Sequence, residues 1–119
     1  MRAYPIFALL LVLVSTMATA NIACDKFQKP KLIKSLDNWD IIATTKAEIK
    51  IAPYFSGDDL SYSISYHAIN PRNNLSIDAH SGVISVDAEA QDNFDLRVTA
   101  KNACGLASGR FNIQIDEEH

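Results

Sequence analysis

The stretch Phe94-Asp95-Leu96-Arg97-Val98-Thr99-Ala100 decides the fold class, because apolar and polar residues alternate along it without interruption. Strict alternation is typical of a half-buried β-strand, in which successive side chains point to opposite faces of a sheet. Upstream, Leu60-Ser61-Tyr62-Ser63-Ile64-Ser65-Tyr66 alternates in the same way, and we expect both of its tyrosines to pack in the core. Downstream, Phe111-Asn112-Ile113-Gln114-Ile115 repeats the pattern. Helical periodicity is nearly absent from residues 21–119.

Shorter runs between turn residues complete the pattern. Strands are predicted at residues 39–43, 47–53, 75–77 and 83–86. Turns are predicted at residues 57–59, 70–74, 80–82 and 102–109, which are rich in Gly, Asn, Asp, Ser or Pro. Short strands separated by such turns predict an all-β fold. We therefore expect residues 39–119 to form an antiparallel Greek-key β-sandwich of about seven strands, immunoglobulin-like in class.

Residues 1–20 have the order of a secretory signal peptide. Arg2 precedes the apolar run 6–14, and Ala18-Thr19-Ala20 supplies a cleavage site. The run is shorter than the roughly 20 apolar residues that a membrane-spanning helix needs. We therefore expect export, to the extracellular space or the periplasm, and no membrane span in the mature chain. Lipidation of Cys24 is the alternative, although Asn21 stands where a lipidation signal has Leu or a similar residue.

Charge is unevenly distributed along the predicted mature chain, residues 21–119, which has ten basic and fourteen acidic residues and a formal charge of 10 − 14 = −4. Residues 21–50 hold six lysines against four acids, whereas residues 51–119 hold four bases against ten acids. This balance gives no indication of a nucleic-acid partner. Residues 21–38 are predicted to be an N-terminal extension, with Lys29-Pro30-Lys31-Leu32-Ile33-Lys34 extended as a first edge strand.

Three segments resemble a known family in their order and in their residues. They are Phe55-Ser56-Gly57-Asp58-Asp59-Leu60-Ser61-Tyr62-Ser63-Ile64, Leu75-Ser76-Ile77-Asp78-Ala79-His80-Ser81-Gly82-Val83-Ile84-Ser85-Val86, and residues 94–102 followed by Gly105-Leu106-Ala107-Ser108. Together they resemble cadherin-like domains, most closely the dystroglycan-type variants and bacterial Ig-like domains. The resemblance covers residues 54–115 and implies an adhesive or ligand-binding β-sandwich, often calcium-dependent.

The acidic loops of that family are reduced in this chain. What remains is Asp58 and Asp59 in one loop and Asp87 and Glu89 in another. The resemblance implies that these four carboxylates form at most a weak calcium site, because calcium requires six to eight oxygen ligands. The alternative is a solvated acidic surface. No other cofactor is expected.

The two cysteines suggest one disulfide. In an immunoglobulin-like topology the chain begins at the end of the sandwich that carries the loop between the last two strands, so Cys24 and Cys104 are expected to pair. A catalytic thiol at Cys104, with His67 or His80 as base, is the alternative. No other constellation of residues suggests catalysis, and we expect no enzyme activity and no catalytic residue.

The candidate partner contacts lie in the lysine-rich N-terminal segment, including Trp39, or in the loops 55–59, 67–74 and 102–109, which are expected at one end of the sandwich. Phe27 and Trp39 stand beside lysines and are candidate anchors, although burial against the sandwich is the preferred expectation. The basic candidates are Lys29, Lys31, Lys34 and Arg72. The leading hypothesis is a non-enzymatic binding or adhesion module for a protein or a glycan. The alternative is a secreted inhibitor of an enzyme such as a protease, acting through the loop 70–74. Asn74-Leu75-Ser76 is a glycosylation sequon, relevant to a eukaryotic secretory pathway.

Overall fold

The computed structural model describes residues 24–118; the predicted signal peptide, residues 1–20, lies outside them. In chain order the strands are β1 (Lys31–Leu32), β2 (Trp39–Ile42), β3 (Thr45–Lys50), β4 (Phe55–Ser56), β5 (Ser61–Ser65), β6 (Asn74–Ile77), β7 (Val83–Ala88), β8 (Asp92–Asn102) and β9 (Gly105–Asp116). A 3₁₀ helix, Ala52–Tyr54, separates β3 from β4. Within the described residues no helix is long and apolar enough to cross a membrane.

Two sheets enclose one core. The larger has the strand order β2-β9-β8-β5 and the smaller has the order β3-β7-β6, while β1 and β4 form a separate antiparallel pair. The predicted all-β sandwich is confirmed. One pairing departs from a purely antiparallel arrangement, because β2 runs parallel to β9.

The parallel pairing follows from the way the chain changes sheets between β2 and β3. The Ala43 N–H donates to the carbonyl of Asp116 in β9 at 2.7 Å, and the next N–H, of Thr44, donates to Ala88 in β7 at 2.6 Å. Thr44 has a φ of 69°, which is unusual for a β-branched residue. The chain thus passes from one sheet to the other within two residues and leaves β2 beside β9.

The core consists of the inward-facing residues of both sheets. The largest fully buried side chains are Ile51, Ile84, Val86, Leu96, Val98, Ile113 and Ile115. Tyr62 is buried as predicted, but the prediction is wrong for Tyr66, which is 40% exposed. Tyr66 follows the last residue of β5, so it lies at the rim of the core, with its ring centroid 6.4 Å from that of Phe94.

The hairpin between β8 and β9 is much longer than the sequence indicated. The predicted turn at residues 102–109 is only the pair Ala103–Cys104, and β9 begins at Gly105. The two glycines after the turn suggested a loop, but Gly109 lies within β9. Its lack of a side chain leaves room for Leu36. A Cβ on Gly109 would lie 2.5 Å from Cδ1 of Leu36, which packs against the core.

The predicted disulfide between Cys24 and Cys104 is confirmed. The two Cα atoms are 5.0 Å apart, and the bond closes a loop with a sequence separation of 80 residues. It ties the N-terminal segment to the tip of the β8–β9 hairpin. No cysteine in the described part of the chain is free, so the alternative of a catalytic thiol at Cys104 is wrong.

Candidate functional site

The outer face of the four-stranded sheet carries a broad polar surface, formed by alternate residues of β5, β8 and β9. Its residues are Ser61, Ser63 and Ser65 of β5, Asn93, Asp95, Arg97, Thr99 and Lys101 of β8, and Leu106, Ser108, Arg110, Asn112 and Gln114 of β9. We call this set the polar face. Only Leu106 among them is apolar, so the surface suits partners that offer hydrogen bonds and charge.

A row of three cross-strand neighbours crosses the middle of the polar face. Ser65 lies opposite Arg97, and Arg97 lies opposite Arg110 on its other side. All three residues are exposed. Like charges directly opposite each other in an antiparallel pair destabilise a sheet. The arginine pair therefore has a cost to folding and a high local positive charge.

A shallow hollow of about 270 Å³ opens beside this row. It is lined by Ser65, Tyr66, His67, Asp95, Arg97 and Arg110. The tilted contact between the rings of Tyr66 and Phe94 fixes the Tyr66 side chain at the rim. The hollow thus brings an aromatic ring, an imidazole, a carboxylate and two guanidinium groups within reach of one small ligand group.

Hydrogen bonds orient the amide side chains next to the hollow. The Asn112 side-chain amide donates to Asn93 Oδ1 at 2.8 Å and to Asp95 Oδ1 at 3.1 Å. The Asn93 amide donates in turn to the Gln114 side chain at 3.3 Å. On the other side of the arginine row, the hydroxyls of Thr99 and Ser108 are 3.2 Å apart. These donors and acceptors are pre-positioned, which lowers the entropy cost of binding a polar ligand.

The opposite face of the sandwich carries a second groove, on the outer side of β3, β7 and β6, of about 510 Å³. Lys46, Asp87 and Asn74 form one cross-strand row there, and Glu48, Ser85 and Ser76 form the next. Oδ1 of Asp87 is buried without a hydrogen-bond partner. Asn74, the sequon asparagine, is exposed beside it. This groove is more acidic than the polar face and lacks an arginine.

The four carboxylates predicted to bind calcium do not converge on one ion. Asp58 lies at the disulfide end, where its carboxylate accepts the Gln28 N–H at 2.8 Å. Glu89 lies at the other end, where its N–H donates to Asn73 Oδ1 at 2.7 Å. The two carboxylates are separated by the length of β8. Asn102, the last residue of β8, contacts Asp58, and Asp92, its first residue, contacts Asn73, which binds Glu89.

Eleven residues of β8 span roughly 33 Å at the usual rise of a strand. Within the described residues no group of three or more His, Cys, Asp or Glu side chains could hold a metal ion. Asp59, next to Asp58, has a φ of 52°, and Asp87 lies in the second groove. The prediction of a single site built from all four carboxylates therefore has to be corrected.

The N-terminal segment is fastened to the sandwich by polar contacts as well as by the disulfide. The Asn102 side-chain amide donates to the carbonyls of Gln28 and Asp58, at 2.7 and 2.8 Å. Lys34 lies over the ring of Tyr54, with Nζ 4.6 Å from the centroid. Desolvation, followed by the hydrogen bond to Asp37 and the charge of that carboxylate, raises the pKa of the Tyr54 hydroxyl.

The other predicted partner contacts are dispersed. Phe27 and Trp39 are 38% and 36% exposed, so the preferred expectation that they are buried is wrong. Phe27 lies in the N-terminal segment before β1, and Trp39 is the first residue of the edge strand β2, so neither side chain is fully enclosed between the two sheets. Lys29 and Lys31 line a small hollow near β4, whereas Trp39 begins β2 at the edge of the larger sheet. These residues do not share one surface.

Arg72 stands in a tight turn at the end opposite the disulfide. The Asn73 N–H donates to the Asn70 carbonyl at 2.9 Å, and the Arg72 N–H donates to the Asn70 side chain at 3.0 Å. The Asn70 N–H is held by Asp92 at 2.7 Å. Arg72 is therefore exposed on an anchored turn, far along β8 from the disulfide.

The sequence did not identify Arg97 and Arg110 as candidates. The alternating pattern of 94–100 already places Arg97 on the outer side, and a continuation of β9 would place Arg110 there too. The sequence did not show that the two arginines lie opposite each other across the β8–β9 hairpin. This pairing depends on the two-residue turn, which the glycines at 105 and 109 concealed.

No protein-family model and no curated protein matches the chain. Solved structures resemble its fold. Titin domain M7 matches with a TM-score of 0.55 and 16% identity, over 76% of this chain and 96% of the titin domain. A SusE-like, surface-located polysaccharide-binding protein from the Bacteroides thetaiotaomicron heparin utilisation locus matches with a TM-score of 0.58 and 15% identity, over 75% of this chain. A candidate α-galactosidase from Bacteroides fragilis matches with a TM-score of 0.59 and 20% identity, over 74% of this chain.

The chain spans only 18% of that galactosidase-like protein and 15% of the SusE-like protein. At these identities the likeness shows the fold alone, which is an immunoglobulin-like β-sandwich. The coarser part of the resemblance seen in the sequence is thereby confirmed. The closer likeness to cadherin-like and dystroglycan-type domains stays a prediction.

Proposed function

We propose that this chain is an exported, non-enzymatic binding module that holds a saccharide on the polar face. The observation that carries the proposal is the hollow beside Tyr66, flanked by amide and hydroxyl groups already held in place by hydrogen bonds. Sugar hydroxyls both donate and accept hydrogen bonds, and Asn, Gln, Ser and Thr side chains do the same. Tyr66 adds an exposed ring at the rim.

The composition of the polar face favours a saccharide over a protein partner. The centres of protein–protein interfaces are enriched in aromatic side chains, Met and Arg, and depleted in other charged side chains and in Ser. Here the arginine pair is surrounded by serine, threonine and amide side chains and one carboxylate, and the single apolar residue, Leu106, lies in the row next to the hairpin turn. A domain of the same fold occurs in a SusE-like polysaccharide-binding protein, which is compatible with this proposal. The disulfide is compatible with export.

The test is a glycan array probed with the disulfide-bonded chain, followed by titration calorimetry with the best ligand. Ser108→Ile adds bulk to the middle of the polar face and removes the hydroxyl next to Thr99. We expect it to weaken binding at least about tenfold, equivalent to roughly 1.4 kcal/mol. Ser85→Ile, at an outward position of β7 on the other sheet, is the matched control and should bind like the wild type.

Two results would overturn the proposal. One is the absence of binding to any saccharide on the array. The other is binding that Ser108→Ile leaves unchanged and Ser85→Ile weakens, because that result would move the site to the groove around Asp87.

A second candidate, inhibition of a protease by the turn at 70–73, is favoured by one observation. The turn is anchored by the Asn70 and Asn73 side chains, so Arg72 is presented without a loss of loop entropy on binding. Assays against a panel of trypsin-like proteases test it directly. Inhibition that Arg72→Ala removes would support it, and no inhibition at micromolar protein would eliminate it.

A further inference from the structure

Three basic side chains of the sandwich lie together on the polar face. Residues 39–119 carry six basic side chains against twelve acidic ones, and the basic ones are Lys46, Lys50, Arg72, Arg97, Lys101 and Arg110. Lys46 and Lys50 belong to β3 of the other sheet, where Lys46 lies opposite Asp87, and Arg72 stands in the turn at 70–73. The polar face has the other three against one carboxylate, Asp95, so it is positively charged in an otherwise acidic domain, and its centre is the pair formed by Arg97 and Arg110.

The geometry of that pair suits a single anionic group. Directly opposite residues of an antiparallel pair have Cα atoms about 4.5–5.5 Å apart, so two arginine side chains from Arg97 and Arg110 can reach one group between them. Planar guanidinium groups match carboxylate and sulfate oxygens through two parallel hydrogen bonds. Ser65, next in the row, adds a hydroxyl donor.

The one carboxylate in the hollow, that of Asp95, does not remove the preference of the arginine pair for an anionic group. Asp95 stands one row away, and its Oδ1 accepts a hydrogen bond from the Asn112 amide at 3.1 Å. Two guanidinium groups and one carboxylate leave the hollow with a net positive charge. An oxyanion bound between the arginines would offset the repulsion that they exert on each other in the free chain.

We infer that the saccharide bound on the polar face carries an oxyanion, either the carboxylate of a uronic acid or a sulfate ester, held between Arg97 and Arg110. This inference rests on the proposed function and specifies its ligand class. The hollow of about 270 Å³ admits the anionic group and part of the sugar ring that carries it, and Tyr66 lies at its rim. The rest of the saccharide follows the amides and hydroxyls of β8 and β9.

The experiment compares matched charged and neutral ligands by titration calorimetry. Oligogalacturonate is measured against its methyl ester, and a sulfated galactan oligosaccharide against its desulfated form. We expect one charged ligand to bind roughly 10- to 100-fold more tightly than its neutral counterpart, the range set by charge-assisted hydrogen bonds. The pair of ligands that shows this preference identifies whether the oxyanion is a carboxylate or a sulfate ester.

Three variants locate the effect. Arg97→Gln and Arg110→Gln should each remove most of the preference for the charged ligand, because each should weaken binding of the charged ligand much more than binding of its neutral counterpart. Arg72→Gln makes the same change of charge outside the polar face, in the turn at the end of the domain opposite the disulfide, and should leave the preference for the charged ligand intact.

The inference is overturned if charged and neutral ligands bind equally in both pairs, or if Arg72→Gln lowers the preference as much as Arg97→Gln does. Equal binding that Ser108→Ile still weakens would leave the proposed function standing and remove only the oxyanion. Absence of binding to all four ligands and to the glycan array would overturn the proposed function as well.

Discussion

The side chain of Asn73 replaces backbone pairing at a bend between two strands. Asn73 is 3% exposed and is the buried polar residue of the described core. Its Oδ1 accepts the N–H groups of Glu89 and Ala90 at 2.7 and 2.8 Å, and its amide donates to the Ala90 carbonyl at 3.0 Å. These bonds fasten the turn at 70–73 to the connection between β7 and β8.

Asn73→Ala would leave two groups of Ala90 without partners. Ala90 is 8% exposed, so neither its N–H nor its carbonyl regains full contact with water, whereas Glu89 is exposed and can hydrate its N–H. A buried backbone group left unsatisfied costs about 1–3 kcal/mol. For two such groups the expected loss in the free energy of unfolding is about 2–6 kcal/mol, a large share of the 5–15 kcal/mol typical of a domain.

Urea denaturation followed by the fluorescence of Trp39 measures this loss, because Trp39 is the single tryptophan of the chain. Amide hydrogen exchange at Ala90 is an independent measurement, and exchange should become faster in Asn73→Ala. The neighbouring substitution Asn74→Ala is the control, since that side chain is exposed and should change stability by less than about 0.5 kcal/mol. A loss below about 1 kcal/mol in Asn73→Ala, with exchange at Ala90 unchanged, would refute this reasoning.

Three further predictions concern the turns and the disulfide. Gly82→Ala should cost about 1–2 kcal/mol in urea denaturation, because Gly82 has a φ of 72° and a Cβ there would lie 3.2 Å from the Tyr62 ring. Reduction of Cys24–Cys104 should lower the Tm by roughly 10–20 °C in calorimetry, because the unfolded chain regains the freedom of a long loop; an unchanged Tm would contradict this. Hydrogen bonds from the N–H groups of Ser81 and His80 lower the pKa of Asp78 from its usual 3.8, so its contribution to stability is complete above about pH 4 and is lost as pH falls through the lowered pKa. Asp78→Asn should therefore show a smaller loss of Tm on acidification than the wild type does.

Alternation along single strands identified the sandwich and most of its core. The runs around Leu96 and Ile113 gave the inward faces correctly, because a period of two belongs to each strand by itself. It did not predict that β2 pairs in parallel with β9. That pairing depends on where the chain changes sheets, at Thr44, which no periodic pattern marks.

Exposure at the ends of strands was predicted less well. Tyr66 and Trp39 have the correct alternation for the core, yet each stands at the end of a strand, where the opposing sheet no longer covers it. The calcium prediction erred for a related reason. Two acidic pairs that are distant in the sequence can form one site only if the strands between them bring both pairs to the same end of the sandwich. Here Asp58 and Glu89 lie at opposite ends.

The hairpin turn between β8 and β9 connects the stability of the domain to the proposed binding site. The Asn102 side chain accepts the Cys104 N–H at 2.8 Å, and the disulfide fastens that cysteine to the N-terminal segment. The turn fixes the register of the whole β8–β9 ladder, in which Arg97 meets Arg110 five pairs farther on. A slip by one residue would turn the side chains of one strand to the other face and separate the two guanidinium groups. The contacts that close the turn thus also determine that two repelling charges lie side by side, where a bound oxyanion can join them.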